Sequence, residues 1–119
     1  MSNYIAKIIF SIEIQDQNNA SQFEEQLRLI QARDENEAFL KARMIGVRGE
    51  ESFENEQLKM VNWKFIDVAE LKKIEEWKDG MEICSTITER EEGERYIHFI
   101  QQKAKQIEKR TSQPVLSLN

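Results

Sequence analysis

Residues 4–14 alternate without interruption, so that Tyr4, Ala6, Ile8, Phe10, Ile12 and Ile14 share one face of an extended strand. The opposite face carries Ile5, Lys7, Ile9, Ser11 and Glu13. One face is therefore core, and the second is half apolar near its start. This pattern commits the chain to a sheet before any other element is considered.

The next segments extend that commitment. Gln15 to Ser21 is polar and turn-like, with Asp16, Asn18 and Asn19. Residues 22–31 alternate again, with Phe23, Leu27 and Leu29 opposite Glu24, Gln26 and Arg28. Two alternating runs joined by a short polar loop predict an antiparallel hairpin. Asp34 then reads as a helix N-cap, with Glu37 three residues on completing a capping box. The helix is expected to run to about Gly46, packing a stripe of Ala38, Ala42 and Ile45 on the sheet. Leu40 and Met44 project from the other side and predict a second contact: another helix, the C-terminal tail or another subunit. Gly46 and Gly49 end the helix and open an acidic loop.

Met60 to Val68 reads as a third strand, with Val61, Trp63 and Phe65 on one face and Met60, Ile66 and Val68 tending to the other. Residues 69–78 carry mixed signals. Leu71, Ile74 and Trp77 are spaced like a helical turn, while Asp79-Gly80 is a turn signal leading to a fourth strand at 81–88. There Met81, Ile83 and Ile87 face one way, and Glu82, Cys84, Thr86 and Thr88 the other. A second helix fills 91–110 with a stripe of Tyr96, Ile100, Ala104 and Ile107. Pro114 is expected to stop it, leaving 111–119 as a tail that docks through Val115, Leu116 and Leu118 or stays loose. The element order β-β-α-β-β-α predicts an α+β fold, an antiparallel four-stranded sheet with helices on one face. One domain over 1–110 is expected, and 119 residues suffice for a real core.

Several stretches together carry a family likeness: YIAKIIFSIE, then LIQARDENEAFLKARMIG, the glutamate loop ending in EN, VNWKFIDVAEL, and DGMEICS. In this order they resemble a family of small uncharacterised bacterial proteins, domain of unknown function 4288. The resemblance covers roughly residues 4–89. It implies a small cytoplasmic α+β domain and supplies no catalytic residues, since the family has no established activity to carry over.

Charge and cysteine usage narrow the function classes. The net charge of −5 and the interleaving of basic with acidic residues argue against nucleic acid as a partner. The densest basic stretch, Lys103, Lys105, Lys109 and Arg110, follows Glu89, Glu91, Glu92 and Glu94, the order a helix dipole favours. Cys84 is the single cysteine, so no intrachain disulfide or Cys-rich zinc site forms. Lys7 and Glu13 interrupt the apolar run near the N-terminus, which is too short to cross a membrane. A cytoplasmic location, with no membrane partner, is the expectation.

The candidate site lies in GVRGEESFENEQLKMVNW, residues 46–63. Glu50, Glu51, Glu54 and Glu56 fall within seven residues, with Phe53 and Asn55 among them and Trp63 close behind. Clustered carboxylates suit hard cations, but the spacing and central glycine of an EF-hand are missing. Neither a metal nor another cofactor is expected. Trp63 is either core or, at a sheet edge beside the loop, an anchor for a partner. Trp77 sits in the irregular stretch and is a second candidate contact. Cys84 and His98, the latter expected on the solvent side of its helix, make no convincing nucleophile–base pair. No glycine-rich phosphate loop is present.

The expected function is therefore a non-catalytic protein-interaction module, a class that includes inhibitor and immunity-type proteins, and not an enzyme. Its contact residues would be Glu50, Glu51, Glu54, Asn55, Glu56, Trp63 and Trp77, facing a basic protein partner. The alternative is a small-ligand or ion-binding domain using a crevice beside the acidic loop. Self-association is also expected, through Leu40 and Met44 or through Ile5, Ile9 and Ile66.

Overall fold

The alternating run at the N-terminus forms β1, Ser2–Ile14, an interior strand of the sheet. The structure, a computed structural model, describes residues 1–17 and 21–117, with side chains to residue 111. The turn residues Asn18 and Asn19 and the tail residue Leu118 lie outside it, as do the side chains of Val115 and Leu116. β2, Gln22–Ala32, pairs antiparallel with β1 in one unbroken register from Ser2↔Ala32 to Ile12↔Gln22. The predicted hairpin therefore forms. Tyr4, Ala6, Ile8 and Phe10 are buried, together with Ile30 and Ala32 of β2. Complete burial of a side chain such as Ile8 or Phe10 is worth about 1.5–3 kcal/mol.

α1, Glu35–Arg48, covers that face. Asp34 caps it as expected, accepting from the Glu37 N–H at 2.8 Å, while Glu37 Oε1 accepts from the Arg33 N–H at 3.2 Å. A cap of this kind stabilises a helix by about 1 kcal/mol. Ala38 and Ala42 are buried, and Ile45 is partly buried against the core. The helix does not end at Gly46. It continues to Arg48, and Gly46 is itself buried, because a Cβ there would overlap the Phe65 ring. A side chain at this position would hold helix and sheet apart, so glycine here serves close approach. Leu40 and Met44 remain exposed.

The second half of the sheet differs from expectation in its details. The acidic stretch after α1 is a strand, β3, Glu51–Glu54. It forms a hairpin with β4, Met60–Ile74, in the register Glu51↔Trp63 to Glu54↔Met60. The expected fourth strand at 81–88 does not form: residues 81–90 have no regular structure, and Cys84 is exposed there. Without the β3 hairpin the element count would have fallen short, and with it four antiparallel strands stand in the order β2-β1-β4-β3. The fold is α+β.

β4 also absorbs most of the stretch that looked partly helical. Its pairing with β1 shifts twice, between Lys7 and Ile8 and between Ile9 and Phe10. Ala69 and Ile66 are each left without a partner, so the strand carries two bulges. Phe65 pairs with Phe10, Val68 with Ile8 and Leu71 with Ala6. All three β4 side chains pack on the core although they are three residues apart. Val68, expected on the second face, joins the first because of the bulges. Leu71 to Ile74, spaced like a helical turn in the sequence, is likewise strand: it pairs in unbroken register with Ala6 to Asn3, so Leu71 and Ile74 face opposite sides.

The sheet face away from α1 carries Ile5 and Ile9, half-buried, and Phe23, Leu27, Leu29 and Ile66, exposed. Lys7 lies among them and pairs with Glu25 at 3.9 Å and Glu70 at 3.5 Å. A hollow of about 390 Å³ opens at one end of this sheet, bordered by Ser11, Phe23 and Ile66 among others.

The chain divides into two units, Met1–Ile83 and Cys84–Asn119. The second contains α2, Gly93–Ser117. It runs through Pro114, contrary to expectation; proline removes one helical N–H, and that loss falls within the final turn and a half. The stripe forms on α2, but Tyr96, Ile100 and Ile107 are exposed rather than core. Arg90 lies over the Tyr96 ring at 4.6 Å and Lys103 over the Phe99 ring at 4.9 Å. Among the described residues no helix is long and apolar enough to cross a membrane.

Candidate functional site

The β3–β4 hairpin gathers six of the seven residues that the sequence singled out. Its turn is built by Asn55. The Asn55 Oδ1 accepts from the N–H groups of Gln57 and Lys59, both at 3.0 Å, and its backbone N–H donates to the Lys59 carbonyl at 2.9 Å. Asparagine suits this work because its short amide side chain mimics a backbone turn. Leu58 closes the turn at φ 61, a left-handed conformation that costs a leucine roughly 1–2 kcal/mol. Lys59 reaches back to Asp16 at 2.9 Å and ties the turn to the end of β1.

Glu50 has a similar internal role. Its Oε2 accepts from the backbone N–H of Phe65 at 3.1 Å. β3 pairs with β4 only as far as Trp63, so beyond that point the outer edge of β4 is bare. Glu50 satisfies one of the donors there. Glu50 and Asn55 therefore shape the hairpin from within.

Glu51, Glu54 and Glu56 are different. All three are exposed, and none joins a salt bridge among the described residues. Glu51 stands opposite Trp63 across the strand pair, and Phe53 stacks on Trp63 with ring centroids 6.0 Å apart at 24°. Trp63 itself is half-buried against the core, and its Nε1 donates to Glu24 Oε1 at 3.2 Å. It is thus the inner wall of the patch, and Phe53 is its exposed aromatic surface. An open hollow of about 420 Å³ lies alongside, bordered by Glu13, Glu50, Glu51, Ser52, Asn62, Trp63 and Lys64.

Trp77 does not join this group. It follows Ile74, at the opposite end of β4 from Met60, and Ile74 itself stands about 36 Å along the strand from Trp63 at a rise near 3.3 Å per residue. Trp77 is 58% exposed and stands by itself. Cys84 and His98 are both exposed in the second unit, where His98 Nε2 lies 3.5 Å from Gln102 Nε2. Among the described residues no three His, Cys, Asp or Glu side chains gather as metal ligands.

Two further polar arrangements were not singled out from the sequence. Arg43 of α1 holds Asp67 at the β4 bulge through two hydrogen bonds of 3.0 Å, and Arg43 also lies over the Phe39 ring at 4.2 Å. The guanidinium, and then the Val68 N–H, hold the Asp67 carboxyl below its ordinary pKa. On β2, Gln26 Nε2 donates to Glu24 Oε1 at 2.6 Å, and Arg28 donates through Nε and Nη2 to Gln26 Oε1 at 3.1 and 2.9 Å. The even spacing of Glu24, Gln26 and Arg28 on one strand face was the available signal for this polar row.

Together, the acidic hairpin presents exposed carboxylates on both sheet faces, with Glu51 on the side of the Phe53–Trp63 stack and Glu54 on the other. Carboxylates and a ring face are groups that can receive a cation. A family model described as "Domain of unknown function (DUF4288)" matches residues 3–85. That span holds all four strands and α1. A search of curated proteins finds no match, and neither does one of solved structures.

Proposed function

This chain belongs to the DUF4288 family, a domain of unknown function, and with that as the starting point we propose that it is a non-catalytic interaction module whose β3 edge binds a basic protein partner. The observation that carries this reading is the pairing state of the acids. Glu50 and Asn55 are hydrogen-bonded inside the hairpin, whereas Glu51, Glu54 and Glu56 stand exposed and outside any salt bridge among the described residues, Glu51 on the sheet face of the Phe53–Trp63 stack and Glu54 on the opposite face. Unpaired like charges on a short edge strand repel one another, and a basic surface relieves that repulsion on contact. Phe53 adds an apolar anchor at the centre of the patch. β3 is also a free edge, so a partner segment has backbone groups to pair with as well as charges to neutralise.

An inhibitor or immunity-type protein is one form of this reading, in which the acidic edge occludes a basic working surface. A cytoplasmic setting fits the lone exposed Cys84, a thiol that an oxidising compartment would expose to intermolecular pairing.

The test is affinity capture from cells that make the protein, comparing the wild type with a Glu51→Gln/Glu54→Gln/Glu56→Gln variant. A protein retained by the wild type should be lost by the variant, and the purified pair should dissociate as salt rises. Equal retention by both baits, or binding indifferent to salt, would remove the acidic edge from the function.

A further inference from the structure

We infer that two copies of this chain join edge to edge through β2, antiparallel and centred on Gln26, to make one continuous eight-stranded sheet. β2 is an outer strand, and β1 is its one strand neighbour among the described residues. Exposed edges are ordinarily blunted by proline, by a bulge or by brevity. β2 spans 11 residues, contains no proline, and pairs with β1 without a single register shift. Its outward-facing backbone groups therefore form a long, regular ladder with no strand partner among the described residues.

The side chains select both the occupant and the register. Opposed residues in an antiparallel pair share a sheet face, so a symmetric pairing must centre on one residue. Centring on Glu24, Glu25 or Arg28 sets like charges directly against each other. Centring on Leu27 opposes Glu24 to Ile30 and Glu25 to Leu29, leaving every charge unmatched. Centring on Gln26 opposes Glu24 to Arg28 of the second copy, twice. On the other face it opposes Phe23 to Leu29 and Glu25 to Leu27, each twice; Phe23 and Leu29 are 61% and 51% exposed in the single chain, and Glu25 keeps its own partner Lys7 at 3.9 Å. Cross-strand ion pairs and apolar pairs stabilise a sheet. Within one chain Glu24 and Arg28 do not meet: both hydrogen-bond to Gln26 between them, and neither joins a salt bridge among the described residues. The same row of side chains becomes a closed set of ion pairs when a second copy supplies the complements. The two-fold axis stands perpendicular to the sheet, so both α1 helices lie on one side. The exposed Phe23, Leu27 and Leu29 of both copies merge on the other.

Charge reversal tests the arrangement directly. Light scattering and sedimentation should show a dimer for the wild type. Arg28→Glu alone, and Glu24→Arg alone, should each weaken dimerisation about tenfold or more, because each sets like charges opposite one another. The double exchange Glu24→Arg/Arg28→Glu should restore it. In a Cys84→Ser background, Gln26→Cys should form an intermolecular disulfide on mild oxidation, while Glu35→Cys should not. A strict monomer at every concentration, a dimer indifferent to Arg28→Glu, or failure of both the double exchange and the Gln26→Cys cross-link would overturn the proposal.

Discussion

The carboxylate of Glu50 accepts a hydrogen bond from the backbone N–H of Phe65, 15 residues along the chain. One member of the glutamate cluster thus finishes the edge of β4 where β3 stops. Glu50→Ala should destabilise the fold by about 0.5–1.5 kcal/mol, the usual net worth of one hydrogen bond. Glu51→Ala, one position on, should be nearly neutral in stability. Urea unfolding of the two variants side by side checks this, and equal effects would contradict it.

Gly46 gives a prediction of sign. Replacing a helical glycine by alanine ordinarily stabilises by up to about 1 kcal/mol. Here the added methyl would overlap the Phe65 ring, so Gly46→Ala should instead destabilise by about 1–3 kcal/mol through overpacking. Phe65→Leu in the same chain should recover part of that loss. A Gly46→Ala protein that melts above the wild type would show that helix and sheet separate without cost.

Leu58 offers a gain. Its side chain is 76% exposed, and its backbone is left-handed. Leu58→Asn should stabilise the hairpin by up to about 1 kcal/mol, because asparagine tolerates that conformation. Thermal melting is the measurement, and a fall in the midpoint would mean that the leucine side chain has an unrecognised contact.

Asp67 supplies the pH dependence. Its carboxyl titrates below the ordinary range because of the hydrogen-bonded Arg43 guanidinium first and the Val68 N–H second. Glu37 is lowered likewise, chiefly by its side-chain hydrogen bond with Arg33. A carboxyl whose pKa falls on folding stabilises the native state above its unfolded pKa, and that contribution is lost as pH drops through the folded value. Asp67→Asn should therefore lower the melting midpoint near neutral pH, and the gap to wild type should close as the pH falls through the lowered folded-state value. A gap that stays constant from neutral to acid would mean that the charge of Asp67 is immaterial.

Legibility varied with how local the signal was. The alternation of β1, the first hairpin and the Asp34 cap were all readable, because each is encoded by neighbours within a few residues. β4 was misread beyond Val68, since Leu71 and Ile74 match a helical turn in spacing, whereas their pairing with Ala6 and Asn3 is set by β1, far away in the chain. β3 was hidden for a related reason: Glu51 to Glu54 is a polar segment that becomes a strand only because β4 is there to pair with it. Charge density marked the acidic stretch, yet it could not separate Glu50, bound to a distant backbone N–H, from Glu51, which joins no salt bridge among the described residues. Trp77, singled out for its place in an irregular stretch, does lie just past the end of β4, away from the acidic hairpin.

The two bulges in β4 bear on how this domain tolerates change in length. A one-residue deletion inside a strand ordinarily turns every following side chain to the wrong face. Ile66 and Ala69 occupy no rung of the ladder with β1. Removing either would let Phe65, Val68 and Leu71 keep their partners Phe10, Ile8 and Ala6, while the strand straightens by one step. Relatives one or two residues shorter in this stretch can therefore share the same core, and an alignment gap there marks slack in the strand, not a different fold.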